Sequence, residues 1–355
     1  MKFEHIYVFC PNDYVSGGPD ALHQIVYYLK HIGCAAEIVY FSQTRNKDYS
    51  IPKPYQKYIS SFLKEDEVED SQKNAVIITE TFVGLAKRFK HSTVFIWWLG
   101  VNNNVLHANF FWKAFFFISL PLRIVKNFEY YRVHLLDAIQ KTLKKTPYTF
   151  RKEQRNVKHI CASFHAYDYV SKRTKNEVAI GIEPLSKFFL ELYNENKNKI
   201  PLIERNDVVL YNPKRCGYFV RYLSKFLPEI KFEPLTGLTQ DEIVSKYMTS
   251  KLYVDFGAFP GAERIPKEAV LYGCAIITGK RGAAFFHGDV PIPDEYKFGN
   301  PYKQIHEIAE KIRFVLLNYE KVYSDFDEYR ETILNLEENF KKSLGNIFLK
   351  GESVL

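Results

Sequence analysis

A near-continuous apolar strand followed by an amphipathic helix, repeated along the chain, is the feature that most narrows what this sequence can fold into. HIYVFC (5–10), AAEIVYF (35–41), NAVIITE (74–80) and STVFIWWLG (92–100) read as strands, with a helix pattern at ALHQIVYYLKHIG (21–33). VKHICASF (157–164) and NEVAIGI (176–182) read as the last strands of the same unit. Strands apolar on both faces need cover on both, which a parallel sheet with crossover helices provides. After the polar stretch NKNKIPLIERND (196–207) the rhythm restarts with VVLYNP (208–213), KFEPL (231–235), KLYVDFG (251–257) and CAIITG (274–279). One or two long helices are expected to close the chain. The reading is α/β: two Rossmann-like domains facing across a cleft, covering residues 1–190 and 200–325, with a final helix at 326–355 returning towards the first.

Composition excludes several classes. With 46% hydrophobic and 25% charged residues in 355, the chain is globular and not disordered. A formal charge of +8 is mild. It suits phosphate-bearing ligands or an anionic membrane surface and gives no sign of nucleic acid. The five cysteines lack metal-ligand spacing, so no metal site is expected and a reduced, cytoplasmic setting fits best. The longest apolar stretch, residues 105–125, is split by Lys113 and falls short of a membrane span.

In open parallel sheets ligands bind beyond the carboxyl ends of the strands, where three loops carry unusual chemistry. SGGPDALHQ (16–24) places Gly17 and Gly18 between a strand and a helix. They either make a tight turn or let an anion approach the backbone and the helix N-terminus. His23 is expected on the helix surface at the cleft entrance. LYNPKRCGYF (210–219) ends a strand at Asn212 and sets Lys214 and Arg215 at the start of a helix, where cations oppose the helix dipole unless an anion bridges them. FGAFPGAERIPKEAVLYGCAIITGKRGAA (256–284) brings Glu263, Arg264 and Glu268 after one strand and Lys280, Arg281 and Gly282 after the next. Glu268 early in a helix could complement the N-terminus or accept two ribose hydroxyls. The whole set suits a nucleotide-sugar.

These motifs resemble glycosyltransferases of the GT-B fold, especially bacterial enzymes of surface-polysaccharide (lipopolysaccharide, O-antigen or capsule) assembly. Gly17-Gly18 match the Gly-Gly loop of the first domain, and Lys214-Arg215 look like the cations that hold the donor diphosphate. GAERIPKEAVLYGCAIITGKRGAA is similar in order to the E-G-F-G-L-P-x-x-E-A segment of retaining members, with Glu268 at the ribose-binding position. Here Glu263 and Glu268 stand five apart, whereas that family's two glutamates are seven apart.

The resemblance implies transfer of a sugar from a nucleotide-sugar donor to a saccharide or lipid-linked acceptor. Lys214, Arg215 and Glu263 would be catalytic, with Gly17, Gly18, Asn212, Arg264, Glu268, Lys280, Arg281 and Gly282 around the donor. Asp13, His23, Asn102 and Asn103 would lie on the acceptor side, and Asp13, Asp20 and His23 are candidate general bases. No D-x-D motif lies in a suitable loop, so transfer without metal or cofactor is expected. A nucleotide-sugar 2-epimerase of the same architecture is the rival reading; a non-catalytic two-domain binding protein is a third. The segment 97–134, in which the aromatics of 110–117 are followed by Arg123, Lys126 and Arg132, is either buried core or a peripheral contact with an anionic membrane.

Overall fold

The computed structural model describes residues 3–12, 15–42, 49–101, 110–126 and 148–350. Two parallel sheets account for the strand runs. The first has seven strands: β1 (Ile6–Pro11), β2 (Ala36–Phe41), β3 (Leu63–Lys64), β4 (Ala75–Thr79), β5 (Thr93–Trp98), β6 (Val157–Cys161) and β7 (Val178–Ile180), in the order β3-β2-β1-β4-β5-β6-β7. Strand β1 shows why the runs are apolar throughout. Val8 and Cys10 enter the core on one face, while Tyr7 and Phe9 enter the core on the other. Helix α1 (Gly17–His31) covers the first face and α3 (Phe164–Ser171) helps cover the second. Between them in sequence runs α2 (Phe110–Lys126), which contains Pro121.

The chain leaves the first sheet after β7, and α4 (Lys187–Asn196) already packs with the second domain. Leu185 and Phe189 belong to that second core. The change of core therefore comes a few residues before 190. The expected polar linker 196–207 is in fact the end of α4, a short 3-10 turn at Ile200–Leu202 and the first residue pair of the next strand.

The second sheet comprises β8 (Asn206–Tyr211), β9 (Lys231–Pro234), β10 (Ser250–Asp255), β11 (Ala275–Gly279) and β12 (Lys297–Phe298), in the order β12-β11-β10-β8-β9. Its helices are α5 (Pro213–Leu223), α6 (Gln240–Thr249), α7 (Arg264–Leu271) and α8 (Ile305–Leu317). Arg205 locks this domain from below. Its guanidinium is buried and donates to the carbonyls of Tyr247, Ser250 and Tyr272 at 2.8, 3.0 and 2.8 Å.

After the short α9 (Tyr319–Val322), helix α10 (Asp327–Gly345) joins the halves. Tyr329 and Ile333 sit in the second core, whereas Phe340 and Leu344, with Ile347 and Phe348 beyond, sit in the first. The final helix thus crosses back to the first domain, as expected. Three further contacts close the seam. Val101 N donates to the Pro260 carbonyl at 3.0 Å, and Gly261 lies so close to Leu99 that any Cβ there would overlap its carbonyl. The Asp289 carboxylate accepts from the backbone N–H groups of Phe164 (2.7 Å) and His165 (2.9 Å), capping α3 from across the seam.

Candidate active site

The cleft is lined by loops that leave the carboxyl ends of the strands. After β8, Asn212 caps α5 by accepting from Lys214 N at 3.0 Å. That bond uses the Asn212 oxygen for the helix. Lys214 is exposed, and its ammonium has no partner among the described residues. Arg215 is different. Its Nε donates to Asp255 at 2.7 Å, one Nη meets Glu263 at 3.1 Å and the other donates to the Ala258 carbonyl at 3.1 Å. Asp255 is fully buried at the end of β10 and also receives Gly257 N at 2.9 Å. Arg215 is therefore the clasp of the loop 256–263, and its side chain is largely spent on that loop.

The next loop docks on the first. Gly282, at φ +64, passes Phe259 so closely that only glycine fits, and Ala283 N donates to the Phe259 carbonyl at 2.9 Å. Lys280 pairs with Asp294 at 2.9 Å, while Arg281 is exposed with no partner among the described residues. Of the cations expected around a donor, Lys214 and Arg281 are the ones that stand free.

Helix α7 starts at Arg264, two residues earlier than its Pro266 suggests, and carries a chain of buried charge. Arg264 crosses the seam to Asp20 on α1 at 2.6 Å. One Nη of Arg264 and one oxygen of the buried Glu183 have no hydrogen-bond partner among the described residues. Glu268 accepts from the Tyr247 hydroxyl at 3.2 Å and is only 7% exposed. Burial pushes its carboxyl up to about 7 against the pull of Arg264. Burial raises the Glu183 and Glu263 carboxyls too and lowers the Lys267 amine. The Glu268 carboxyl is thus turned onto Tyr247.

On the first domain, Gly17 and Gly18 are not a free loop. They form the opening turn of α1, whose N-cap is Ser16. Gly18 faces Leu99 across the cleft floor. The reading of His23 as a surface residue at the entrance is corrected. It is fully buried, Nδ1 bonds the Pro19 carbonyl at 2.6 Å, Nε2 meets the Tyr40 hydroxyl at 2.7 Å, and its ring stacks on Tyr55 at 4.1 Å. Burial lowers its pKa to about 4, and with no exposed surface and both ring nitrogens engaged in the core it has no reach to a bound acceptor. Sequence periodicity could not show this, because Tyr40 and Tyr55 lie on other elements. Asp13, Asn102 and Asn103 lie outside the described residues. Sequence reasoning also missed Glu183, Asp255 and Asp289, single acidic residues without a motif; Asp255 meets Arg215 inside the second domain, and Asp289 reaches α3 across the seam.

No protein-family model matches the chain, and no curated protein sequence does. Solved structures do match over the whole length. The lipopolysaccharide outer core galactosyltransferase WaaB aligns with a TM-score of 0.59 at 12% identity, over 99% of this chain and 100% of that one. A sucrose-phosphate synthase from Thermosynechococcus elongatus aligns at 0.56 and 12%, over 98% of both. A GtfA/B complex aligns at 0.55 and 10%, over 98% and 99%. The chain has the GT-B fold of these proteins: two Rossmann-like domains facing across a cleft, tied by a C-terminal helix.

Proposed function

We propose that this protein is a glycosyltransferase that moves a sugar from a nucleotide-sugar donor to a saccharide or lipid-linked saccharide acceptor in surface-glycan assembly. The observation that carries the reading is the pair of unpartnered cations, Lys214 and Arg281, at the carboxyl ends of β8 and β11 in a fold of this kind. Free cations beside a helix N-terminus suit a diphosphate.

In the reaction the bond between the anomeric carbon and the diphosphate oxygen breaks, and the acceptor hydroxyl oxygen bonds that carbon. The hydroxyl proton leaves to a base or to the departing phosphate. Lys214 and Arg281 stabilise the charge that grows on the diphosphate. Arg215 and Glu263, clasped together, hold the loop 256–263 against the donor, so Arg215 acts by positioning. Glu268 meets the ribose once the Arg264–Asp20 pair opens and frees it from Tyr247. The reading assigns neither metal nor cofactor a part.

The reading extends to the membrane. On α2, Ile118, Leu122 and Val125 are 76%, 68% and 79% exposed. These apolar positions recur at helical spacing, as in helices that lie in a membrane interface. No described helix is long and apolar enough to cross a membrane.

The test is incubation with UDP-, GDP-, ADP- and CMP-sugars plus saccharide acceptors, with and without EDTA, following free nucleotide, glycosylated product and sugar epimers. Acceptor-dependent nucleotide release supports the reading. Epimers with release of nucleotide but no glycosylated product would move the assignment to a 2-epimerase.

A further inference from the structure

A cavity of about 220 Å³, whose lining includes neither Lys214 nor Arg281, lies where the two domains and α10 meet. Phe164 borders it from the first domain, Ala262, Lys267 and Asp289 from the second, and Tyr329 and Phe340 from α10. Two of these residues are anomalous. Lys267 is 3% exposed and Tyr329 1% exposed, yet among the described residues neither the ammonium nor the phenol has a hydrogen-bond or ion-pair partner. A donor on a largely buried side chain with no protein acceptor is costly to leave dry, and two such residues lining one cavity call for something there that accepts.

The surroundings restrict what that is. Glu183, Asp289 and Glu263 are the charged groups felt most by Lys267 besides Arg264. Asp289 in the cavity wall, with Glu183 and Glu263 acting on the same ammonium, disfavours a phosphate or carboxylate and suits neutral hydroxyls. Asp289 already accepts two backbone N–H groups, and its remaining lone pairs can receive a ligand O–H. The rings of Phe164 and Phe340 offer apolar walls. A cavity of roughly 150 Å³ holds benzene, so this one has room for a six-membered ring with its hydroxyls. Asn339 on its rim is exposed, which gives the cavity a way to solvent. Ala262 adjoins Glu263, so an occupant would sit beside the donor loop.

We propose that this cavity binds one pyranose unit of the acceptor saccharide, with Lys267 and Tyr329 donating to its hydroxyl oxygens. The proposal deepens the glycosyltransferase reading and rests on it for the word acceptor. It also offers a place for the acceptor other than the surroundings of His23.

The experiment uses the full chain without donor. Methyl glucosides, galactosides and mannosides, methyl N-acetylglucosaminide and methyl glucuronoside are titrated by ligand-observed NMR. UDP, GDP, ADP and CMP binding is measured in parallel by calorimetry. At least one neutral pyranoside should saturate the protein, and bind more tightly than the glucuronoside. Lys267→Met, which keeps the apolar stem, and Ser343→Phe, which fills the cavity from α10, should each weaken it tenfold or more while leaving nucleotide affinity unchanged.

Thermal unfolding of both variants checks that they fold, and either one suffices for the comparison. No saturation by any pyranoside up to about 100 mM, or equal binding by the filled variant, overturns the proposal and leaves the cavity to water. Intact nucleotide binding with no pyranoside binding sinks the cavity alone. Failure of every nucleotide to bind sinks the glycosyltransferase reading instead.

Discussion

Replacing Glu268 by glutamine should flatten part of the pH dependence of folding. The carboxyl titrates at 4.5 when free and at about 7 in the fold, because burial disfavours its charge more than Arg264 and Lys267 favour it. A carboxyl with a raised folded pKa holds its proton more tightly in the native state. Its contribution is therefore full below pH 4.5 and is lost as pH rises through 7. Integrating the linkage relation between those two values, the wild type should lose about 2.5 kcal/mol from pH 5 to pH 8 through this one group.

Glutamine keeps the size of the side chain and an oxygen for the Tyr247 hydroxyl, so the packing is preserved while the titration is removed. Glu183, Glu263 and Asp289 are also raised by burial, the last to about 6, but they are present in both proteins and largely cancel. The assay is urea unfolding at pH 5, 6, 7 and 8, read from the fluorescence of the buried Trp97 and Trp98. The glutamine variant should gain on the wild type steadily as pH rises. A difference between the two that stays constant within about 0.5 kcal/mol across the range would refute the argument, since the carboxyl would then feel no net burial.

Gly261→Ala should push the domains apart at Leu99, costing about 1–3 kcal/mol of stability and raising the radius of gyration in solution scattering; an unchanged radius would mean that the seam yields freely. Lys214→Ala and Arg281→Ala should weaken nucleotide-diphosphate binding in calorimetry without lowering the melting temperature. Arg215→Ala should instead destabilise by about 3 kcal/mol, because it strands the buried Asp255 charge; equal melting of all three variants would dissolve this distinction. Leu122→Asp should abolish sedimentation with anionic liposomes at low salt, and wild-type protein that never sediments would return α2 to a non-membrane role.

Most of the architecture was legible because strand and crossover-helix patterns are local. A run such as HIYVFC has to be buried on both faces, and only a parallel sheet with helices on each side provides that. Both sheets and the restart near residue 208 follow from such runs. The two-residue strands β3 and β12 were invisible, since two residues carry no period. The loops proposed to hold the donor stood out for a related reason: glycine and charge at the end of an apolar strand violate what a plain connection needs.

The use each charge is put to was decided only by tertiary contact. Lys214 and Arg215 are neighbours in sequence, yet one reaches solvent and the other clasps Asp255 and Glu263 from two other segments. His23 looks like any polar helix residue until Tyr40 and Tyr55 fold over it. Lys267 is one charge among several in its stretch until α10 and Asp289 close a cavity around it. Periodicity reports which face of an element is apolar; which partner waits there depends on residues far along the chain, and that information exists only once the two domains have met.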